Sequence, residues 1–302
     1  MAAIIPKCIS EVTSSWLSSI LGTQIIAFNT STVAGGHLAD VFRIHDILYA
    51  DSPSLLPPSL IIKIACQKED HRTIAASNNA YLREVLFFEK LAAKVPLRTP
   101  IIYSVLFDNL ERCEFFSIIM EDLSSHSTVF DQLTDQPKEA DIRKIILELA
   151  EFHALFWESD TLNLDWIGFP ENSYKFPMHE AALECEDNID TFAVLWENAF
   201  KQRPFQPKWP SLEPMTRLIC DGNAERILRQ IYKILSQRPH TLLHTDLRGN
   251  NLFRTKPQIG EPSEITYIDW QLVSRGPPGL EFSQAWQHSI PPPWSDEKTS
   301  TF

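Results

Sequence analysis

The chain has 302 residues, a formal net charge of −12 at pH 7 and a hydrophobic content of 44%. This length predicts one large domain or two modest ones, and the hydrophobic content is ample for a packed core. The acidic balance argues against a surface for nucleic acid or anionic membranes, so we expect neither partner. An acidic surface suits cationic substrates, but it also favours solubility, and the sequence leaves both interpretations open.

The five cysteines are spread along the chain without a C-x-x-C pair, which indicates neither a disulfide framework nor a zinc site. This usage is typical of a reducing compartment, so we expect a cytoplasmic protein. The opening residues MAAIIPK lack an apolar region of signal-peptide length. No apolar run in the sequence approaches the length of a membrane span.

The first predicted element is a helix at residues 10–21, with Ser10 as its capping residue. Its apolar side chains recur at helical spacing and predict one buried stripe. The members of this stripe are Val12, Trp16, Leu17, Ile20 and Leu21.

A strand–turn–strand unit follows, with strands predicted at residues 24–33 and 41–44. The turn contains Gly35 and Gly36. Such a turn can lay backbone N–H groups over phosphates, although most glycine pairs are ordinary hairpin turns. Asp40 lies just beyond the turn and would repel a phosphate. We therefore expect its side chain to point away or to bind another group.

The strand predicted at residues 60–65 is apolar except for Lys63. A surface lysine is the simplest interpretation, but the β-branched neighbours indicate a buried strand, where an unpaired ammonium is costly. A helix with one apolar stripe is predicted at residues 78–95. On this helix, Arg83 and Glu89 are interpreted as solvent-exposed charges.

Two more strands are predicted at residues 100–107 and 114–120, after which the composition changes from strand-like to helix-like. Pro137 is expected in the first turn of a helix that runs to about Trp157. We interpret His153 on this helix as a packed, hydrogen-bonded core histidine without a catalytic role. The predicted buried face consists of Ile142, Ile145, Ile146, Leu149, Phe152 and Phe156.

The least predictable region lies at residues 158–222. Its aromatic and acidic side chains could form a pocket for a cation or an amphiphile. They could equally belong to helices with a core face and a solvated acidic face. The residues concerned are Trp166, Trp196, Trp209, Glu184, Glu186, Asp187 and Asp190. Another helix is predicted at residues 223–235, and Pro239 ends it.

The most informative stretch is the pattern H-x-D-x-x-x-x-N, formed by His244, Asp246 and Asn251 and followed by Asp269. Apolar pairs before and after the pattern predict short strands, and a third strand at residues 265–268 delivers Asp269 at its end. Phosphoryl transfer needs a carboxylate beside the attacking hydroxyl and oxygen ligands that hold Mg²⁺. Asp246 can serve as that carboxylate, while Asn251 and Asp269 can serve as ligands.

The segments HTDLRGNNLF and YIDWQ resemble the group of aminoglycoside phosphotransferases, choline kinases and ecdysteroid-kinase-like proteins. The resemblance covers nearly the whole chain and implies an α+β, two-lobed, protein-kinase-like fold. It implies a small β-rich N-terminal lobe at residues 1–122 and a larger helical lobe at residues 123–302. This chain departs from the pattern at Thr245, where these families usually have glycine. It departs again at Arg248, where they often have Trp, His or Lys.

The resemblance also implies site residues. Asp246 would be the catalytic carboxylate, Asn251 and Asp269 would bind the metal, and Glu281 is the candidate for an acidic residue that braces the catalytic loop. The residues expected to bind the nucleotide are Lys63 with its partner Glu84, Gly35 and Gly36 over the phosphates, and the backbone of Glu121 and Leu123 at the adenine.

Together these features predict ATP-dependent phosphorylation of a hydroxyl group on a small molecule, with Mg²⁺ as the metal. The alternative is an inactive pseudokinase that binds nucleotide or acts as a scaffold. A protein kinase is disfavoured, because Asp-Trp replaces Asp-Phe-Gly and no Ala-Pro-Glu follows. Family members usually continue for several more helices after the Asp269 turn. We therefore expect a shortened C-terminus here, which would uncover part of the large lobe or open the acceptor site.

Overall fold

The computed structural model describes residues 4–33, 38–51, 56–130, 137–168, 230, 233–256 and 263–282. Several predicted features lie outside these ranges: the glycine turn with Gly35 and Gly36, most of the acidic region and of the helix at residues 223–235, and the residues after 282. The described chain combines a β-rich N-terminal part with a long helix and two small sheets, as expected of an α+β kinase-like fold.

The N-terminal part is built on one antiparallel sheet with the strand order β1-β2-β3-β5-β4. The strands are β1 (Ile25–Thr32), β2 (Ala39–Tyr49), β3 (Leu60–Ala65), β4 (Ile102–Phe107) and β5 (Phe116–Glu121). β3 and β5 are central and nearly continuous in apolar residues, because both faces of this part of the sheet are covered. Lys63 pairs in register with Val41 on one side and Ile118 on the other, which places its side chain in the middle of the sheet.

Helix α1 (Ser14–Leu21) packs against β1 and begins later than predicted. The capping residue is Thr13, whose side chain accepts a hydrogen bond from the N–H of Trp16. Ser10 was predicted as the cap, but it lies in a short 3₁₀ turn at Ile9–Glu11. The pattern S-x-V-T-S-S offers several capping residues, so sequence spacing alone could not select one.

Helix α2 (Glu69–Ser77) was not predicted from the sequence. The helix predicted at residues 78–95 follows it and is present as α3 (Ala80–Leu86). The chain changes direction at Asn79, which has a positive φ of 54°. Helix α3 continues into a π-helical segment, Phe87–Leu91. All seven residues of α3 are buried, so this helix is enclosed on every face.

Helix α4 (Glu139–Leu155) forms the core of the described C-terminal part. Lys138 precedes its first turn and donates its backbone N–H to the Asp141 carboxylate at 3.0 Å, so Pro137 lies just outside the helix. Four of the six residues predicted on the buried face of α4 are buried: Ile145, Leu149, Phe152 and Phe156. The prediction for Ile146 was wrong, since its side chain is 39% exposed.

Two small sheets carry the H-x-D-x-x-x-x-N motif. One contains β6 (Ser127–Val129), β8 (Leu252–Thr255) and β9 (Ile265–Tyr267), and the other contains β7 (Thr241–Leu243) and β10 (Ser274–Gly276). The strands predicted around the motif are therefore present. None of the helices that the structure describes is long and apolar enough to cross a bilayer.

Candidate active site

His244 connects the loop after β7 with the loop after β9. Its Nε2 donates to the carbonyl of Ile268 at 2.8 Å, and its Nδ1 accepts from the N–H of Asp246 at 3.3 Å. These partners assign the ring proton to Nε2. Ile268 also donates its N–H to the carbonyl of Asn251 at 3.0 Å. The residue before Asp269 is thus hydrogen-bonded to two members of the H-x-D-x-x-x-x-N pattern, which brings both halves of the predicted site together.

The loop after β7, which begins with His244 and Thr245, is supported by the buried carboxylate of Glu281. Its Oε1 accepts the backbone N–H groups of His244 at 2.6 Å and Thr245 at 2.9 Å. Its Oε2 lies 2.6 Å from Nε2 of His153. Glu281 therefore braces the loop as predicted, and His153 is the packed, hydrogen-bonded histidine that the sequence indicated.

Asn251 holds the carboxylate of Asp246. The Asn251 side-chain amide donates to the Asp246 carbonyl at 2.9 Å and to its Oδ2 at 3.0 Å. Because the NH₂ group is used in this way, the amide oxygen points away from Asp246 and can serve as a ligand. Burial raises the pKa of Asp246, while the positive charge of Arg248, whose Nε lies 3.5 Å from Oδ1, acts in the opposite direction.

Lys63 lies between two carboxylates. Its Nζ is 2.8 Å from Oε2 of Glu84 and 2.8 Å from Oδ1 of Asp269. Burial alone would lower the pKa of Lys63, but the charges of Asp269 and Glu84 outweigh it and raise the pKa. Burial would raise the pKa of Asp269, yet Lys63 holds it below its ordinary value. For Glu84, burial outweighs Lys63 and raises the pKa to about 7.

The interpretation of Arg83 as a solvent-exposed charge was wrong. It is only 3% exposed and donates from Nε to the carbonyl of Gln271 at 3.0 Å. Gln271 in turn donates from its side chain to Oδ2 of Asp269 at 3.3 Å. Next to this contact, the rings of Phe87 and Trp270 stack at 3.9 Å with an interplanar angle of 7°. The helix that carries Glu84 therefore also supports the loop of Asp269.

These contacts bring the two segments HTDLRGNNLF and YIDWQ together in one site. The sequence matches the family model of the ecdysteroid kinase-like family over residues 36–299. The chain belongs to this family. The resemblance found in the sequence is thereby confirmed. A search of curated protein sequences finds no match.

The search of solved structures finds several that are similar to this ecdysteroid kinase-like protein. A protein from Thermobifida fusca described as a fructosamine-3-kinase has 15% identity and a TM-score of 0.51, with 93% of this chain and 80% of that chain covered. The macrolide 2′-phosphotransferase of Brachybacterium faecium has 13% identity and a TM-score of 0.44, covering 92% and 76%. The ethanolamine kinase of Plasmodium vivax has 15% identity and a TM-score of 0.40, covering 87% and 64%. The first of these similarities supports the two-lobed fold.

The side chain of Asp40 in this ecdysteroid kinase-like protein binds the backbone of the turn after β3. Its Oδ2 accepts the backbone N–H of Gln67 at 2.9 Å, which ties β2 to the turn after β3. The expectation that this side chain binds another group is confirmed.

The end of β5 and the residues that follow it are predicted to bind adenine, but some of their backbone groups already form hydrogen bonds within the protein. The N–H of Glu121 donates to the carbonyl of Ile101 at 2.8 Å, and the carbonyl of Leu123 accepts the N–H of His126 at 3.3 Å. An adenine base at this segment would therefore have to use the carbonyl of Glu121 or the N–H of Leu123. The Glu121 side chain pairs with Arg98 at 3.0 Å, a contact that the sequence did not reveal.

The donor set of the site suits a small, hard cation. In the part of the chain that the structure describes, no group of three or more His, Cys, Asp or Glu residues could hold a metal ion. Mg²⁺ does not need such a cluster, because it binds through one or two carboxylates together with phosphate oxygens and water. The Asp269 carboxylate and the Asn251 amide oxygen fit this requirement.

Proposed function

We propose that the protein is an ATP- and Mg²⁺-dependent phosphotransferase that moves the γ-phosphoryl group of ATP to a hydroxyl of a small molecule. The observation that carries this proposal is the placement of Lys63 between Glu84 and Asp269, 2.8 Å from each carboxylate. A lysine fixed in this way can present one charge to phosphates, and a carboxylate at Asp269 can hold a metal beside them. The match to the ecdysteroid kinase-like family and the similarity to a protein described as a fructosamine-3-kinase support this assignment.

Asp246 is proposed as the general base. Asn251 fixes its Oδ2, so the carboxylate is held in one orientation, with Oδ1 on the side of Arg248. Asp246 would accept the proton of the acceptor hydroxyl while the hydroxyl oxygen forms its bond to the γ-phosphorus. The bond between that phosphorus and the bridging oxygen then breaks, and ADP leaves. The raised pKa of Asp246 makes its carboxylate a stronger base for this step.

Asn251 and Asp269 are proposed as the metal ligands. When bound, Mg²⁺ supplies positive charge to the phosphate oxygens as they become more negative. Asp269 has a left-handed backbone with φ 65°, and it is fixed by Lys63 and Gln271. This support keeps the carboxylate in place before the nucleotide arrives.

The remaining nucleotide contacts stay predictions. We propose that Gly35 and Gly36 cover the phosphates and that the backbone of Glu121 and Leu123 binds adenine. We also propose a cytoplasmic location, which suits the unpaired Cys8, Cys66 and Cys113. Fractionation of cells that express a tagged protein would test the location.

The first experiment is a thermal melt of the purified protein with and without ATP and Mg²⁺. A ligand that binds only the native state stabilises it by about 2.7 kcal/mol at a concentration of 100 Kd. We expect a Mg²⁺-dependent rise in the midpoint that Asp269→Ala abolishes. Asp70→Ala, which changes an exposed aspartate on α2, should keep the rise. The absence of any rise in a wild-type protein that melts cooperatively would contradict the proposal.

The second experiment measures ADP formation with a panel of hydroxylated small molecules. Asp246→Ala should reduce turnover by on the order of 10²–10⁴, the usual contribution of a positioned general base. Full turnover by a folded Asp246→Ala protein would exclude Asp246 as the base. Nucleotide binding without product from any acceptor would instead support a pseudokinase.

A further inference from the structure

Thr245, the residue directly before Asp246, has an unusual backbone conformation. Its φ is 70°, in the left-handed region. A branched Cβ is crowded by the backbone in this region, so a threonine here is an outlier, whereas glycine adopts the conformation without strain. The surroundings of Thr245 must therefore hold the loop in a shape that the residue itself disfavours.

The side chain of Thr245 is held by a second buried hydroxyl. Its Oγ1 lies 2.6 Å from Oγ of Ser274 and 3.4 Å from the carbonyl of Leu243. Ser274 is 0% exposed and Thr245 is 4% exposed, so neither hydroxyl can turn to solvent instead. Ser274 can donate to Thr245, which then donates to Leu243, and both hydroxyl protons are used.

Ser274 lies on the strand that follows the proposed metal-binding loop. A 3₁₀ turn follows Asp269 directly, and β10 starts shortly after it, at Ser274. Ser274 pairs in register with Leu243 of β7. The hydroxyl pair therefore joins the residue before the proposed base to the chain that follows the proposed metal ligand. This connection is separate from the one that His244 makes to Ile268.

We propose that Thr245 and Ser274 form a buried hydroxyl pair that positions Asp246 by holding Thr245 in its left-handed backbone conformation. The inference rests on the proposed function, because its effect is on phosphoryl transfer. Thr245 is a positioning residue, since its side chain touches the loop and not the reacting groups. Reaction rates are sensitive to such positioning, because a misplacement of about 1 Å can cost on the order of 10²-fold.

The test compares Thr245→Val with Thr245→Ser. Valine keeps the size and the branched Cβ but removes the hydroxyl, while serine keeps the hydroxyl. The assay follows ADP formation from ATP and Mg²⁺ with water as the acceptor. We expect Thr245→Val to lower kcat by roughly 10- to 100-fold with little change in the KM for ATP. Thr245→Ser should stay close to wild type, which a purely steric role for the side chain does not predict.

Thr241→Val is the matched control. Thr241 is also fully buried on the neighbouring strand, and its hydroxyl donates to the carbonyl of His153 at 2.7 Å. Removal of this hydroxyl should cost stability without a comparable loss of kcat. An equal loss of kcat in Thr241→Val and Thr245→Val would show a general effect of core damage and would overturn the inference.

The double variant Thr245→Gly/Ser274→Ala covers the case in which Thr245→Val does not fold. Glycine needs no partner for the left-handed backbone, and alanine leaves no unpaired hydroxyl at position 274. We expect this protein to keep most of the wild-type kcat, while Ser274→Ala alone is slower. If Ser274→Ala alone equals wild type, the pair does not position Asp246. If wild-type protein neither binds nor hydrolyses ATP, the proposed function itself is wrong.

Discussion

Replacement of Glu281 by alanine should strongly destabilise the protein. The change leaves two buried backbone N–H groups, those of His244 and Thr245, without their acceptor at 2.6 and 2.9 Å. It also removes the partner of His153. An unsatisfied buried donor costs about 1–3 kcal/mol. With partial relaxation of the loop, we expect a loss of about 3–5 kcal/mol.

Glu281→Gln separates the two functions of the carboxylate. A glutamine oxygen can still accept both backbone N–H groups, but its NH₂ group would face Nε2 of His153. The histidine would then have to carry its proton on Nδ1, a buried atom for which the described structure offers no hydrogen-bond partner. We therefore expect an intermediate loss of about 1–3 kcal/mol, the cost of one unsatisfied buried group.

Urea unfolding followed by circular dichroism measures these losses as shifts of the midpoint at constant slope. Glu89→Ala is the control, because Glu89 is an exposed carboxylate on the segment after α3. Its effect should stay within about 0.5 kcal/mol. A midpoint for Glu281→Ala equal to that of Glu89→Ala would refute the argument that Glu281 satisfies the loop.

Three further changes test contacts around the site. Gly249→Ala should cost about 1–3 kcal/mol, because a Cβ there would lie 3.0 Å from the carbonyl oxygen of Phe130, and unfolding midpoints would show it. Arg83→Met should cost about 1.5–3 kcal/mol of stability, because a buried charged donor is lost. It should also weaken the Mg²⁺-dependent rise in melting temperature, and an unchanged rise would show that α3 does not support the loop of Asp269. Arg98→Met should cost only about 0–1 kcal/mol, since its pair with Glu121 is partly exposed, and raised salt should shrink the difference from wild type.

The parts of the site that local sequence patterns specify could be predicted. Asp246 and Asn251 share one short loop, so their spacing alone brings them within hydrogen-bonding distance. Lys63 could be placed because a single charge in an apolar strand requires a buried partner. Glu84 was identified from the family resemblance, since helical periodicity did not distinguish it from its charged neighbours.

The parts that depend on tertiary structure could not be predicted. Arg83 looks like a surface charge because one helical stripe suffices for an ordinary amphipathic helix. The sequence around it, AYLREVLFF, is apolar on nearly every face, and that was the available signal for a fully enclosed helix. Helix α2 was missed because its sequence, EDHRTIAAS, has few apolar residues and no clear apolar stripe.

The charges of the site give a physical reason to expect that its proposed activity depends on a cation. Lys63 contributes one positive charge, while Glu84 and Asp269 both lie 2.8 Å from its Nζ. Its charge cannot neutralise both carboxylates, which agrees with the raised pKa of Glu84 and the lowered pKa of Asp269. An excess of buried negative charge is unfavourable, and a triphosphate would increase it further. A divalent cation held at Asp269 would offset both the excess charge of the carboxylates and the charge of the triphosphate, so we expect cation and nucleotide to bind together.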